Sequence, residues 1–323
     1  MKRKLVIALP RYDEGHIGWP KSFQPNQIYR YNDIRDGNLT VDIIPHHLIY
    51  NRTALEQVMS NDTVYISIVR EPFSQFKSTL NYFQKAVLQL DMPGTQKEAV
   101  TQFLNNADEY EKNVTFTFNE RPAGEKSITK NFMATEFGFP VSKFKDEKFI
   151  KDFLNKIDKE FHLVMLYEEL YESVVLLRRL LCWDFKDILF TVVNKQYYRV
   201  DRVTDSVIYR RQQKWSAVDH ALYYHLRKIL QLRKSSQIYR PLMLEAQHLR
   251  RVTYKLKHFC DLEEGPYLEI KATTWHLDFK VRRSQCGLLN MYPHRLDEQL
   301  KKDLDMRLSK LGIEKFYNED DDF

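Results

Sequence analysis

The segment Val69–Ser78 holds the residues whose types and spacing most clearly suit chemistry. Arg70 directly follows TVYISIV, residues 63–69, a run of β-branched and aromatic residues that reads as a buried strand. Pro72 stands at the first position of a helix, where proline is favoured, and Phe73, Phe76, Leu80 and Phe83 then recur at helical spacing as one apolar face. In open α/β sheets, ligands bind beyond the carboxyl ends of strands. Arg70 is therefore placed to meet an anion, and its planar fork suits phosphate. The helix N-terminus that follows adds unpaired N–H groups and the positive end of a dipole. Ser74 and Ser78, one helical turn apart, offer hydroxyls on one side of that helix. The same pattern also fits an arginine paired with a neighbouring acid and two solvated serines.

A second set is the histidine pair in DIIPHHLIYN, residues 42–51. Imidazole, with a pKa of about 6.5, is the natural acceptor for a proton near neutral pH. Adjacent residues of an extended segment face apart, so His46 and His47 do not both serve one site. For the same reason, and without an evident carboxylate or cysteine partner, the pair makes a poor metal site, and no metal is expected. GHIGWPKS, residues 15–22, superficially matches a phosphate loop. Its spacing is wrong for one, and Trp19-Pro20 would block close approach of the backbone. The three cysteines, Cys182, Cys260 and Cys286, lack metal-binding spacing and allow at most one disulfide.

These candidates need elements to hold them. Strands are expected at Leu5–Leu9, at Val41–Ile44, at residues 63–69 and at HLVMLY, residues 162–167. Helices are expected from Pro72, over Phe149–Phe161, Glu168–Leu181, Trp215–Leu232 and Pro241–His258, and as a charged helix over Arg295–Leu311. The alternation of strand and helix is an α/β signature. Residues 91–130 read as irregular, and 312–323 as an acidic, frayed tail. Trp183 and Trp215 read as core aromatics, His220 and His225 as packing or surface residues, and Cys182 as a buried thiol. The arginines of RRLLCW read as a solvated helix side.

Composition narrows the class. The 323 residues are 43% hydrophobic, enough for a real core. The net charge of +6 is spread among acids, with no basic face for nucleic acid. No apolar run reaches membrane-spanning length, and the N-terminal apolar stretch is too short for a signal peptide. Four N-x-S/T sequons, at Asn38, Asn51, Asn61 and Asn113, exceed chance and point to a lumenal compartment.

IVREPFSQFKSTLNYF resembles the motif that binds the 3′-phosphate of the sulfate donor 3′-phosphoadenosine 5′-phosphosulfate (PAPS) in sulfotransferases. That motif is an Arg after a strand, a Pro two residues on and a Ser eight residues on, here Arg70, Pro72 and Ser78. With Phe76 and the ending LNYF it is most similar to the galactose-3-O-sulfotransferases, the family that includes galactosylceramide sulfotransferase. Two more blocks agree: residues 161–190, with a double-Leu Cys-Trp core, and KWSAVDHALYYHL, residues 214–226, with Trp215, Asp219 and Tyr223.

The resemblance implies a P-loop-like sulfotransferase fold, with a central, mainly parallel sheet flanked by helices and extra C-terminal helices, as one domain over residues 1–323. It implies sulfuryl transfer from PAPS to the 3-hydroxyl of galactose on a glycolipid or glycoprotein glycan. Arg70 and Ser78 would bind the 3′-phosphate, His47, which aligns with the family histidine, would take the acceptor proton, and Cys260 would pair with Cys286. The expected setting is the Golgi lumen, as a single-pass type II membrane protein. There are two departures. Ile49 stands where the family usually has Arg. The loop that binds the 5′-phosphosulfate has no counterpart, and MKRKLVIALP resembles the segment just after it, so the chain is expected to start late, without anchor or loop. A catalytically inactive relative and a carbohydrate-binding module stay open as alternatives.

Overall fold

The structure, a computed structural model, describes residues 5–11, 16–83, 96–113, 117–118, 121–122, 127–191, 206–236, 239–262 and 265–314. Contacts divide it into two units. One comprises residues 64–135 and 139–290, the other residues 1–63, 136–138 and 291–323.

The larger unit is built on two of the expected strands. β1 (Ile66–Val69) and β2 (Leu163–Leu166) pair in parallel, from Ile66 opposite Leu163 to Val69 opposite Leu166. Leu163, Val164, Leu166 and Val69 are buried, whereas Ile66 and Ile68 remain exposed. β1 is thus covered on one face only, which corrects its reading as a buried strand. Helix α1 (Pro72–Phe83) opens at the expected proline and buries Phe73, Phe76 and Leu80. Helix α2 (Gln96–Asn105) and a further helix over Ala107–Asn113 correct the expectation of irregular structure there. Its signal was Ala99, Val100, Phe103 and Leu104, a buried helical stripe among polar neighbours. Phe103 lies 5.4 Å from the Phe76 ring and 6.2 Å from Trp215.

Helices α3 (Glu147–Glu160) and α4 (Leu170–Leu181) flank β2 in sequence. Helix α5 (Ser206–Trp215) ends at a break, and the expected helix over Trp215–Leu232 follows it as α6 (Ala217–Ser236). The break at Ser216 comes from reciprocal capping. Asn131 Oδ1 accepts from the N–H groups of Val218 (2.9 Å) and Asp219 (3.3 Å). The Asp219 carboxylate in turn accepts from Ala134 N (2.7 Å) and Met133 N (3.3 Å) at the start of the helix that opens at Phe132. Each side chain satisfies donors that a helix start leaves without partners.

Helix α7 (Tyr239–Leu262) carries Glu245, whose side chain is 1% exposed and is gripped by Arg178 Nη1 and Arg179 Nη2 of α4, each at 2.7 Å. The arginines of RRLLCW are therefore not a solvated side but the partners of an internal carboxylate. The antiparallel pair β3 (Tyr267–Ile270) and β4 (Phe279–Arg282) follows. Cys260 at the end of α7 is disulfide-bonded to Cys286, as the resemblance implied, among Leu256 and Val281. Cys182 is exposed, not buried. It ends α4 in a left-handed conformation (φ 52°), one residue beyond the apolar stripe. Trp215 is buried and Trp183 half-buried. His220 is buried, and His225 bonds Asp158 of α3 at 2.7 Å.

In the smaller unit, Leu5–Leu9 and Val41–Ile44 do not form strands. They meet at one parallel bridge, Ile7 to Ile43, and further bridges join His16 to His47 and Ser22 to Ile49. Pro10, Pro20, Pro25 and Pro45 interrupt the chain too often for a ladder to extend. The unit's core includes Ala8, Leu9, Ile17, Phe23, Ile28, Ile34 and Ile49. Helix α8 (Pro293–Ser309) bonds Arg30 through Asp305 at 2.9 Å. Asn51 caps the turn Arg52–Leu55 and donates its amide to the Phe23 carbonyl, while Asn61 lies exposed in a turn. The acidic stretch over 315–323 lies outside the described residues. Among the described residues, no helix is long and apolar enough to cross a membrane.

The buried Glu245 clamp yields a stability prediction. Glu245→Ala leaves two arginines facing each other with no counter-charge, and is expected to lower the unfolding free energy by about 3 kcal/mol. Urea denaturation checks this, and a loss below about 1 kcal/mol would show that the clamp is dispensable.

Candidate active site

The parallel register decides what stands at the carboxyl end of the sheet. With Val69 opposite Leu166, the next residues outward are Arg70 beside Tyr167, then Glu71 beside Glu168. Arg70 accordingly lies with its guanidinium carbon 4.9 Å from the centre of the Tyr167 ring. This cation–π contact holds the fork without using any of its N–H donors. Arg70 Nε is buried and has no hydrogen-bond partner among the described residues.

The nearby acids explain why Arg70 is unpaired. The Glu71 carboxylate accepts from Phe73 N (3.1 Å) and Ser74 N (2.7 Å), capping α1. Glu168 Oε1 accepts from Glu71 N (2.9 Å), and its Oε2 accepts from the Tyr223 hydroxyl (3.2 Å). Both carboxylates bind backbone donors rather than the arginine. The reading of Arg70 as one half of an ion pair therefore fails among the described residues. The same geometry corrects the expectation that the N-terminus of α1 receives the anion, because Glu71 already fills it. An incoming anion is left with the Arg70 side chain and hydroxyls farther along α1. Ser78 is half-buried on that helix, and its hydroxyl makes no hydrogen bond among the described residues.

A buried polar network anchors this turn from below. Gln212 of α5 donates to the Pro72 carbonyl (3.4 Å), and its Oε1 lies 2.6 Å from His220 Nε2 of α6. Burial holds the His220 imidazole below its ordinary value, with Glu71 opposing. The hydroxyls of Tyr209 and Tyr224 are 2.8 Å apart, and burial followed by that bond pushes the Tyr209 hydroxyl up. Burial pushes the Asp219 carboxyl up to about 7 against three backbone N–H bonds. The blocks around Tyr167 and Tyr223 were visible in the sequence, but the roles of Glu71, Tyr167, Glu168 and Tyr223 were not. Glu71 had a legible sign, an acid directly before Pro72 at a helix start.

His47 belongs to the smaller unit. Its carbonyl accepts from Ile17 N at 2.7 Å beside the bridge to His16. Its ring is exposed and makes no hydrogen bond among the described residues. Although solvent reaches the ring, the surrounding protein and then the neighbouring His46 hold its imidazole below the ordinary value. His46 is turned away, with Nε2 2.9 and 3.0 Å from the two carboxylate oxygens of Asp297. Ile49, at the position where the family carries Arg, is a core residue, 1% exposed. Trp19 of the loop-like segment is buried and donates its indole N–H to Glu136 (2.8 Å). Among the described residues, no group of three or more His, Cys, Asp or Glu is placed to hold a metal.

A parallel strand pair with an arginine at its carboxyl edge, before a capped helix, makes the larger unit an α/β structure. The family described as galactose-3-O-sulfotransferase matches residues 1–283, and the chain belongs to that family. It is 27% identical over 294 residues to human galactose-3-O-sulfotransferase 2, covering 90% of this chain and 69% of that protein. It is 26% identical over 261 residues to mouse galactosylceramide sulfotransferase, covering 80% of this chain and 58% of that protein. Mouse galactose-3-O-sulfotransferase 3 is likewise 26% identical, over 265 residues, covering 80% of this chain and 57% of that protein. No solved structure matches the chain.

The Glu71 cap is testable by itself. Glu71→Ala removes the acceptor for two N–H groups and is expected to lower stability by about 1 kcal/mol. Denaturant midpoints read this, and an unchanged midpoint would mean that solvent caps α1 equally well.

Proposed function

We propose that this chain transfers a sulfuryl group from PAPS to the 3-hydroxyl of a galactose on a glycolipid or glycoprotein glycan. The observation that carries the reading is the Arg70 guanidinium. It is held against Tyr167, its Nε lacks a partner, and it stands at the first position of the family's 3′-phosphate motif. Family membership supplies the reaction class. The fold is read as P-loop-like and as one sulfotransferase domain spanning both units.

In this reading Arg70 gives charge-assisted hydrogen bonds to the 3′-phosphate, and Ser78 adds a hydroxyl donor. A phosphate placed there would satisfy the buried Nε, whose lack of a partner is otherwise unfavourable. The acceptor oxygen attacks sulfur in line, the bond from sulfur to the phosphate oxygen breaks, and adenosine 3′,5′-bisphosphate leaves. The galactose hydroxyl gives up its proton as the new S–O bond forms, and His47 takes it. An imidazole held below its ordinary value is neutral, and so able to accept, at neutral pH. The residues named here account for the 3′-phosphate and the proton, not for the 5′-phosphosulfate. The disulfide fits an oxidising compartment, in keeping with a Golgi-lumenal, type II membrane setting.

Arg70→Ala is expected to weaken adenosine 3′,5′-bisphosphate binding by about 2 kcal/mol, roughly 30-fold, with adenosine 5′-phosphate little affected. Calorimetry with both nucleotides decides it, and equal losses would remove Arg70 from the 3′-phosphate. For His47, the rate should fall as pH drops and the base becomes protonated, and the limb should lie below about 6.5 because the group is lowered. His47→Ala should abolish that limb and most turnover while nucleotide affinity holds. Nucleotide binding without any sulfate transfer to lactose-type acceptors would favour the inactive relative.

A further inference from the structure

We propose that Asp297 is a positioning residue for His47, acting through His46. The inference rests on the reading of His47 as the proton acceptor. The geometry that supports it lies entirely within the smaller unit. His47 is held by its backbone alone. On one side its carbonyl accepts from Ile17 N, and its ring has no tether of its own. On the other side the chain is fixed through the preceding residue. The His46 ring reaches both oxygens of Asp297, at 2.9 and 3.0 Å, with the two side chains 10% and 9% exposed.

The pair is exclusive in both directions. His46 Nδ1 is buried without a partner, so the ring depends on Asp297 for its polar contact. Asp297 is buried, and a desolvated carboxylate keeps its charge only with a partner. Asp297 sits on α8, whose other buried contacts, Leu304 and Leu308, fix the helix to the same core. The C-terminal helix thus pins residue 46, and residue 47 is held with its ring on the open side. The pin also has an electrostatic effect. Desolvation, and then the neighbouring His46 that the pin holds in place, lower the His47 imidazole from its ordinary value. Among the described residues, the titratable groups that these contacts bring to His47 are His46 on its own segment and His16 on the bridged one, with Asp297 behind His46.

The test uses the full chain with Asp297→Asn. Asparagine removes the carboxylate that seats the His46 ring, so His46 is no longer fixed beside His47 and its lowering of the His47 imidazole is relieved. The His47 titration midpoint, read by NMR of its ring nitrogens, should move up towards that of a free histidine. The acid limb of the rate profile should move up with it, with turnover on that limb falling about threefold and nucleotide affinity unchanged. Asp297→Glu should restore the wild-type midpoint. If Asp297→Asn does not fold, the apolar double variant, His46→Phe with Asp297→Leu, removes the neighbouring imidazole together with its partner and should raise the His47 midpoint in the same way. A His47 midpoint unmoved in whichever variant folds would overturn the proposal. The NMR readout needs no turnover, so a chain that fails to transfer sulfate refutes the functional reading and leaves the tether to be judged on its own.

Discussion

The parallel register between β1 and β2 is the constraint on which the candidate donor site depends. It is only four pairs long, yet it determines which residues emerge together at the carboxyl edge. Arg70 meets Tyr167 because Val69 faces Leu166. Glu71 reaches Glu168 for the same reason, one residue farther out. A slip of one residue would place Arg70 beside Leu166 or Glu168 and turn every β1 side chain to the other face. Burial of Val69 resists that slip, which would turn Val69 out of the core and the Arg70 end of the strand toward it.

The site also shows how charge can be kept available. An arginine next to two glutamates would ordinarily be neutralised by one of them. Here Glu71 is drawn to the two N–H groups at the start of α1, and Glu168 is held between a backbone N–H and Tyr223. Both satisfy donors that would otherwise stand unpaired, and this competes with the ion pair. The aromatic face of Tyr167 holds the guanidinium in place without consuming a donor. The scaffold behind this turn is built likewise from side chains that bind backbone, with Gln212 on Pro72 and Asn131 and Asp219 on each other's helix starts.

Much of this was legible in the sequence. The two strands, the helix opening at Pro72 and the long helices were visible because their apolar residues keep a local period. Arg70 and Ser78 were visible from type and spacing. What escaped notice depended on partners distant in the chain. The diversion of Glu71 and Glu168 links residues 97 apart. Arg178 and Arg179 looked solvated because Glu245, which holds them, lies 66 or more residues on. The helix over Gln96–Asn105 was hidden by polar composition, its four core residues being too few to stand out. The strands expected at Leu5–Leu9 and Val41–Ile44 were apolar enough, but repeated prolines cut their pairing down to single bridges.

The two histidines illustrate the same limit at close range. In sequence, His46 and His47 are equivalent neighbours, and only the resemblance singles out the second. In the structure they have opposite environments: one ring is seated on a buried carboxylate, the other is open and unbonded. Nothing local separates them. The difference comes from Asp297, some 250 positions away, which can satisfy one ring only. Burial and then the fixed His46 hold the neighbouring imidazole below its ordinary value. Of two identical side chains, only the second keeps a ring without hydrogen bonds among the described residues. The buried Ile49 two residues on places no cation beside it.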